Sequence, residues 1–91
     1  MIEQSVNRVD TAKNLSDAFL FINRLLINNL RTAIKNNNSE VVAEAYEKLH
    51  EKLIEYIAIA ALTANGIDDK TKLLVIALVL GGIQRELIIQ R

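Results

Sequence analysis

Leu73-Leu74-Val75-Ile76-Ala77-Leu78-Val79-Leu80-Gly81-Gly82-Ile83 contains no polar side chain, and the reading of this stretch decides the fold. Projected at 100° per residue, Leu73, Ile76, Leu80, Ile83 and Leu87 share one helical face. Leu74, Leu78, Ile89 and the stem of Arg85 lie roughly opposite, with Val75, Val79 and Gly82 on the flank between them. A helix that is apolar all round is either central in a protein or in a membrane. A membrane span needs about 20 apolar residues. The apolar run, at 1.5 Å rise per residue, reaches only about 16 Å, so it reads as a buried helix. A β-strand with Gly81-Gly82 as its turn competes, because short Val- and Ile-rich runs cannot be typed by periodicity alone. No second stretch alternates in a way that offers it a partner, and lone strands are not stable. Ala77 and Gly81, four apart on one face, are expected either to admit a close backbone approach or to mark a local kink.

The rest of the chain agrees with an all-α class. There is no proline, and the only glycines are Gly66, Gly81 and Gly82, too few breakers for a sheet-and-turn architecture. The 91 residues make one domain over 1–91. Ile2, Val6, Val9 and Ala12 form a narrow helical stripe near 2–13. Asn14-Leu15-Ser16-Asp17 offers a break, with Ser16 or Asn14 as N-cap of a second helix near 16–36. A helix continuous through that point is the alternative, since Leu15, Phe19, Ile22, Leu26 and Leu30 extend the period. Asn23 and Asn29 interrupt the apolar field of this segment; each sits at the rim of an interface or, if buried, requires hydrogen-bond partners. Asn36-Asn37-Asn38 is the clearest loop, because Asn tolerates left-handed dihedrals. Ser39 is expected to cap a helix near 39–65 that ends at Asn65-Gly66, and Asp68-Asp69 to open the last helix, near 68–90, with favourable charge.

The third helix changes character along its length. Val42, Tyr46, Leu49, Leu53 and Tyr56 face one way, and Glu40, Glu44, Glu47, Glu51 and Glu55 the other. From Tyr56 to Leu62 it becomes apolar all round. Joined by a short turn to the Leu73–Ile83 helix, this segment is expected to form an apolar hairpin, close-packed through Ala58, Ala61, Ala77 and Gly81. A chain this short leaves little to cover such a hairpin, and 51% of its residues are hydrophobic. The expected architecture is a small antiparallel bundle of three long helices, or four, completed by homodimerisation. The candidate interface or apolar-ligand surface is Leu74, Val75, Leu78, Val79, Gly82, Ile59, Leu62 and Phe21. On that projection Leu78→Glu or Val79→Glu is expected to disrupt association or folding.

Little in the chain suggests catalysis. His50, the single histidine, borders the apolar face beside Glu47, a structural position. Glu47-Lys48-Leu49-His50 matches the Glu-x-x-His spacing of di-metal bundles once, with no second copy in the chain. With no cysteine, disulfides and thiolate metal sites are excluded, and no cofactor is expected. The basic stripe Arg24, Arg31 and Lys35, extended by Arg8 and Lys13, could meet phosphates. Residues 1–38 carry five basic and three acidic side chains, a net of +2. Zero net charge overall, no interleaved aromatic residue and no helix-turn-helix pattern disfavour nucleic acid. The segment Met1-Ile2-Glu3-Gln4-Ser5 has no signal-peptide character, and a cytoplasmic location is expected. The leading reading is a non-catalytic adaptor or regulator that self-associates and binds an unidentified protein partner. The alternative is a carrier of an apolar ligand or lipid, or a peripheral membrane-binding protein.

Overall fold

The computed structural model describes residues 2–63 and 67–89, with the side chains of 8–62 and 67–87. It contains α1 (Ile2–Ile22), α2 (Arg24–Lys35), α3 (Ser39–Thr63) and α4 (Asp69–Ile89), and no strand among the described residues. The Asn65-Gly66 stop and the side chains of Ile2, Val6 and Ile89 lie outside that description.

The first interruption falls at Asn23, not at Asn14–Asp17. Ser16 caps nothing: it is buried inside continuous α1, and its Oγ donates to the Lys13 carbonyl at 2.9 Å. At Asn23 the backbone opens to φ −102° and ψ 18°. The half-buried Asn23 Nδ2 donates to the Phe19 carbonyl at 3.0 Å, so the partner that its amide needs is supplied locally. The Asn23 N–H bonds the same carbonyl, and the Ile27 N–H bonds Asn23 O, each at 3.0 Å. A side chain competing for a helical carbonyl bends a helix without ending it. α1 and α2 therefore run on as one bent rod of about 50 Å, close to the longest dimension of the molecule, 47 Å.

The Asn triplet closes α2 as its residue type implies. Asn37 takes φ 54°, the Asn38 N–H bonds Ala33 O at 3.0 Å, and the Asn37 N–H bonds Ile34 O at 3.1 Å. This is the Schellman pattern, which satisfies the last carbonyls of the helix. Asn38, rather than Ser39, caps α3: its Oδ1 accepts from the Val41 N–H at 3.3 Å.

At the start of α4, Asp68 Oδ1 accepts from the Thr71 N–H at 2.8 Å and the Thr71 hydroxyl at 2.6 Å. Asp68 Oδ2 accepts from Arg8 at 2.8 Å, tying α4 to α1. The Arg8 bond first, and then the Thr71 bonds, hold the Asp68 carboxyl well below the usual carboxylate range. A carboxyl depressed by folding stabilises the fold above its unfolded pKa, about 3.9. That contribution is lost as pH falls towards the folded value. The melting temperatures of the wild type and Asp68→Asn should therefore differ at neutral pH and converge as pH is lowered below about 5. A gap independent of pH would contradict this role.

Contacts at both ends fix the direction of α4. Arg8 meets Asp68 near one end, and Arg31 Nη1 lies 3.5 Å from Glu86 Oε2 near the other. α4 thus runs parallel to the α1–α2 rod and antiparallel to α3. The closest backbone approaches are between α1 and α4 and between α2 and α3. Ala12 and Ser16 on α1, and Thr71, Val75, Val79 and Gly82 on α4, are all buried; small side chains on both faces allow the axes to approach. One core cluster comprises Ala12, Phe19, Leu53, Val75 and Val79, and a second Ile27, Leu30, Ala45 and Leu49. Leu20 and Ile83 pack against both and join them. The half-buried Tyr56 donates its hydroxyl to Leu15 O at 2.8 Å, its phenol pKa raised by burial.

The expected tight α3/α4 hairpin is not what forms. Ala58 and Ala77 are exposed, and apart from Gly81's chain neighbours and the adjoining backbone of its own helix nothing lies within 4 Å of where a Cβ on Gly81 would sit. Gly82 is the glycine of close approach: a Cβ there would overlap the Leu20 side chain, with Leu20 Cδ2 only 3.3 Å away. Gly81→Ala should therefore raise stability by up to about 1 kcal/mol through helix propensity. Gly82→Ala should fall short of that gain because Leu20 must move. Equal shifts in the two denaturant midpoints would contradict this packing.

Candidate interaction surface

α3 and α4 are consecutive in the chain but stand apart, and the space between them forms an apolar groove. Leu49, Leu53, Val79 and Ile83 lie along its floor with Phe19 and Leu30; Tyr46, His50 and Leu80 stand at its sides. Bulky side chains in the seam hold these two axes further apart than the small residues hold α1 and α4. At its sides Tyr46 is 61% exposed and Leu80 50%; elsewhere on the same two helices Ile54 is 56% and Leu73 65% exposed. Scattered exposed apolar residues are ordinary, whereas an apolar concentration on one face of a small domain marks an interaction surface. The groove holds a volume of only about 50 Å³, far below the 300–1,000 Å³ typical of small-molecule pockets.

The predicted surface residues are distributed differently from the projection. Val75, Val79 and Gly82 are buried in the chain's own core, against α1. Leu74 is half-buried beside the same cluster, and Leu78 is exposed at 37%. Phe21 stands on the outer side of α1 with the Arg24 guanidinium 4.4 Å above its ring. Ile59 and Leu62 are exposed on the last turns of α3. The outward assignment of Val75, Val79 and Gly82 is thus corrected, and the reason is size: the small flank of α4 is the side that can approach α1. Of the row Leu73, Ile76, Leu80, Ile83 and Leu87, Leu80 and Ile83 line the groove, Leu73 and Leu80 are exposed, and the other three are partly buried.

That row recurs at spacings of three, four, three and four, the a/d spacing of left-handed helix pairs. Tyr46, His50, Leu53 and Ile57 recur on α3 at four, three and four. Of these rows, Leu53 is buried and Ile57, Ile76, Ile83 and Leu87 pack against the core clusters, while Tyr46, His50, Leu73 and Leu80 are exposed. Glu47 and Glu51 are exposed on the same helix.

No group of three or more His, Cys, Asp or Glu side chains that could hold a metal ion is found among the described residues. No described helix is long and apolar enough to cross a membrane. Comparison of the chain with family models, curated proteins and solved structures finds no match.

Proposed function

We propose that this is a non-catalytic helical protein that works by protein–protein contact, first with a second copy of itself, through the α3/α4 face. The observation that carries the reading is the apolar groove between α3 and α4, with Tyr46 more than half and Leu80 half exposed at its sides. Two such faces related by a twofold axis would place like rows together, as isologous dimer contacts do, and heptad-spaced rows favour packing by knobs into holes. The fold is thereby read as an antiparallel bundle completed by homodimerisation, with a further protein partner engaging the charged faces. The carrier reading has less support, since a groove volume of about 50 Å³ does not hold an acyl chain without the helices parting.

Leu80→Glu tests the proposal. Leu80 is half exposed, so the monomer should accept the charge and keep its helical circular-dichroism spectrum. Dimer affinity should fall at least about thirtyfold, because a charge placed centrally in an apolar contact costs about 2 kcal/mol or more. Phe21→Glu, on the outer side of α1, should leave the native mass unchanged. An undiminished dimer in Leu80→Glu would remove the α3/α4 face from consideration.

A further inference from the structure

A second groove, of about 490 Å³, lies between the α1–α2 rod and the C-terminal half of α4. Arg24, Asn28 and Arg31 line it from α2, and Gly82, Arg85 and Glu86 from α4. Three guanidinium groups against one carboxylate give this groove a net charge of +2 in a chain whose net charge is zero. Local concentration of charge, rather than the total, sets the potential in a cleft.

The cations here are incompletely used. The Arg31–Glu86 separation, 3.5 Å, is longer than the 2.7–2.9 Å of a charge-assisted hydrogen bond. Arg85 makes no ion pair among the described residues. Arg24 donates to the Phe21 carbonyl at 3.0 Å at the edge of the groove, without a carboxylate partner. Arg24, Asn28 and Arg31 are spaced four and three residues apart, so their side chains rise along one face of α2. The base of the groove is apolar, with Leu20 and Ile27.

We propose that this groove binds a small soluble phosphate monoester, its phosphoryl group held by Arg31, Arg85 and Asn28 and its apolar portion resting on Leu20 and Ile27. A guanidinium presents a planar fork of N–H donors that matches phosphate oxygens in pairs. A monoester with three terminal oxygens can engage forks from two helices at once, whereas a carboxylate has only two oxygens to share between them. The volume falls within the range of small-molecule sites. This site is independent of the α3/α4 face and does not require self-association.

The test is an NMR titration of the protein with inorganic phosphate and with phenyl phosphate, at constant ionic strength against chloride. The expected result is saturable shifts of the amides of Asn28, Arg31, Gly82 and Arg85, with phenyl phosphate the tighter ligand because its ring covers Leu20 and Ile27. Arg31→Gln and Arg85→Gln should each weaken phenyl phosphate about tenfold or more. Arg85 is exposed and Arg31 partly buried beside Glu86, and cooperative melting without ligand is the check that each variant is folded. Linear, non-saturating shifts, or affinities unchanged in both variants, would overturn the proposal, as would benzoate binding as tightly as phenyl phosphate.

Discussion

Val79→Asp should abolish the folded state at 25 °C. Val79 is fully buried, in one cluster with Ala12 and Phe19 of α1, Leu53 of α3 and Val75 of α4. A carboxylate placed there has no partner, and an uncompensated buried charge costs several kcal/mol even after its pKa rises. Natural domains hold about 0.05–0.15 kcal/mol per residue, which leaves this chain only single to low double figures of kcal/mol. The variant should lack a cooperative thermal transition, whereas Leu80→Asp, one residue on and half exposed, should melt cooperatively. A Val79→Asp protein melting within a few degrees of the wild type would mean that α4 is rotated from the orientation described here.

Phe19→Ala should be the most damaging truncation in the core. The Phe19 ring is 1% exposed, its centroid is 5.3 Å from that of Tyr56, and the planes are tilted at 60°. It thereby joins α1 to α3 at the level where α4 also closes. Phe→Ala at such sites costs about 3–5 kcal/mol in lost transfer energy and cavity. For a domain of this size that lowers the melting temperature by about 12–40 °C. Phe21→Ala, two residues away on the outer side of α1, should change stability by no more than about 1 kcal/mol, mostly through its contact with Arg24. Similar losses in the two variants, measured by chemical denaturation, would contradict the assigned faces of α1.

These contrasts show where sequence reading succeeded and where it lacked information. The absence of proline, the paucity of glycine and the periodicities made the all-helical class legible. The Asn36–Asn38 stop was legible because residue type alone explains the left-handed Asn37. Orientation of the last helix was not, because a segment apolar on every side carries no hydrophobic direction. The signal present was side-chain size: Thr71, Val75, Val79 and Gly82 form a small row, and Leu73, Ile76, Leu80, Ile83 and Leu87 a large one. Small rows go where helix axes come close, here against Ala12 and Ser16. Of the two readings open at Asn14–Asp17, the continuous helix is the one that forms: Ser16 resembles an N-cap by type, yet in α1 its hydroxyl bonds backward to Lys13. Asn23, enclosed by apolar neighbours, was the residue whose amide competes for a helical carbonyl. The arginine groove was half visible, since Arg24 and Arg31 share a stripe in the sequence, but Arg85 joins them only when α4 runs parallel to the first rod.

The central claim is that the apolar α3/α4 face is closed by a second copy of the chain. Native mass by light scattering, followed over a wide range of dilution, tests it most directly. The account predicts a species of twice the 10.2 kDa chain mass, giving way to monomer at much higher concentration in Leu80→Glu than in the wild type. A wild-type protein that remains a 10.2 kDa monomer at every concentration would contradict it.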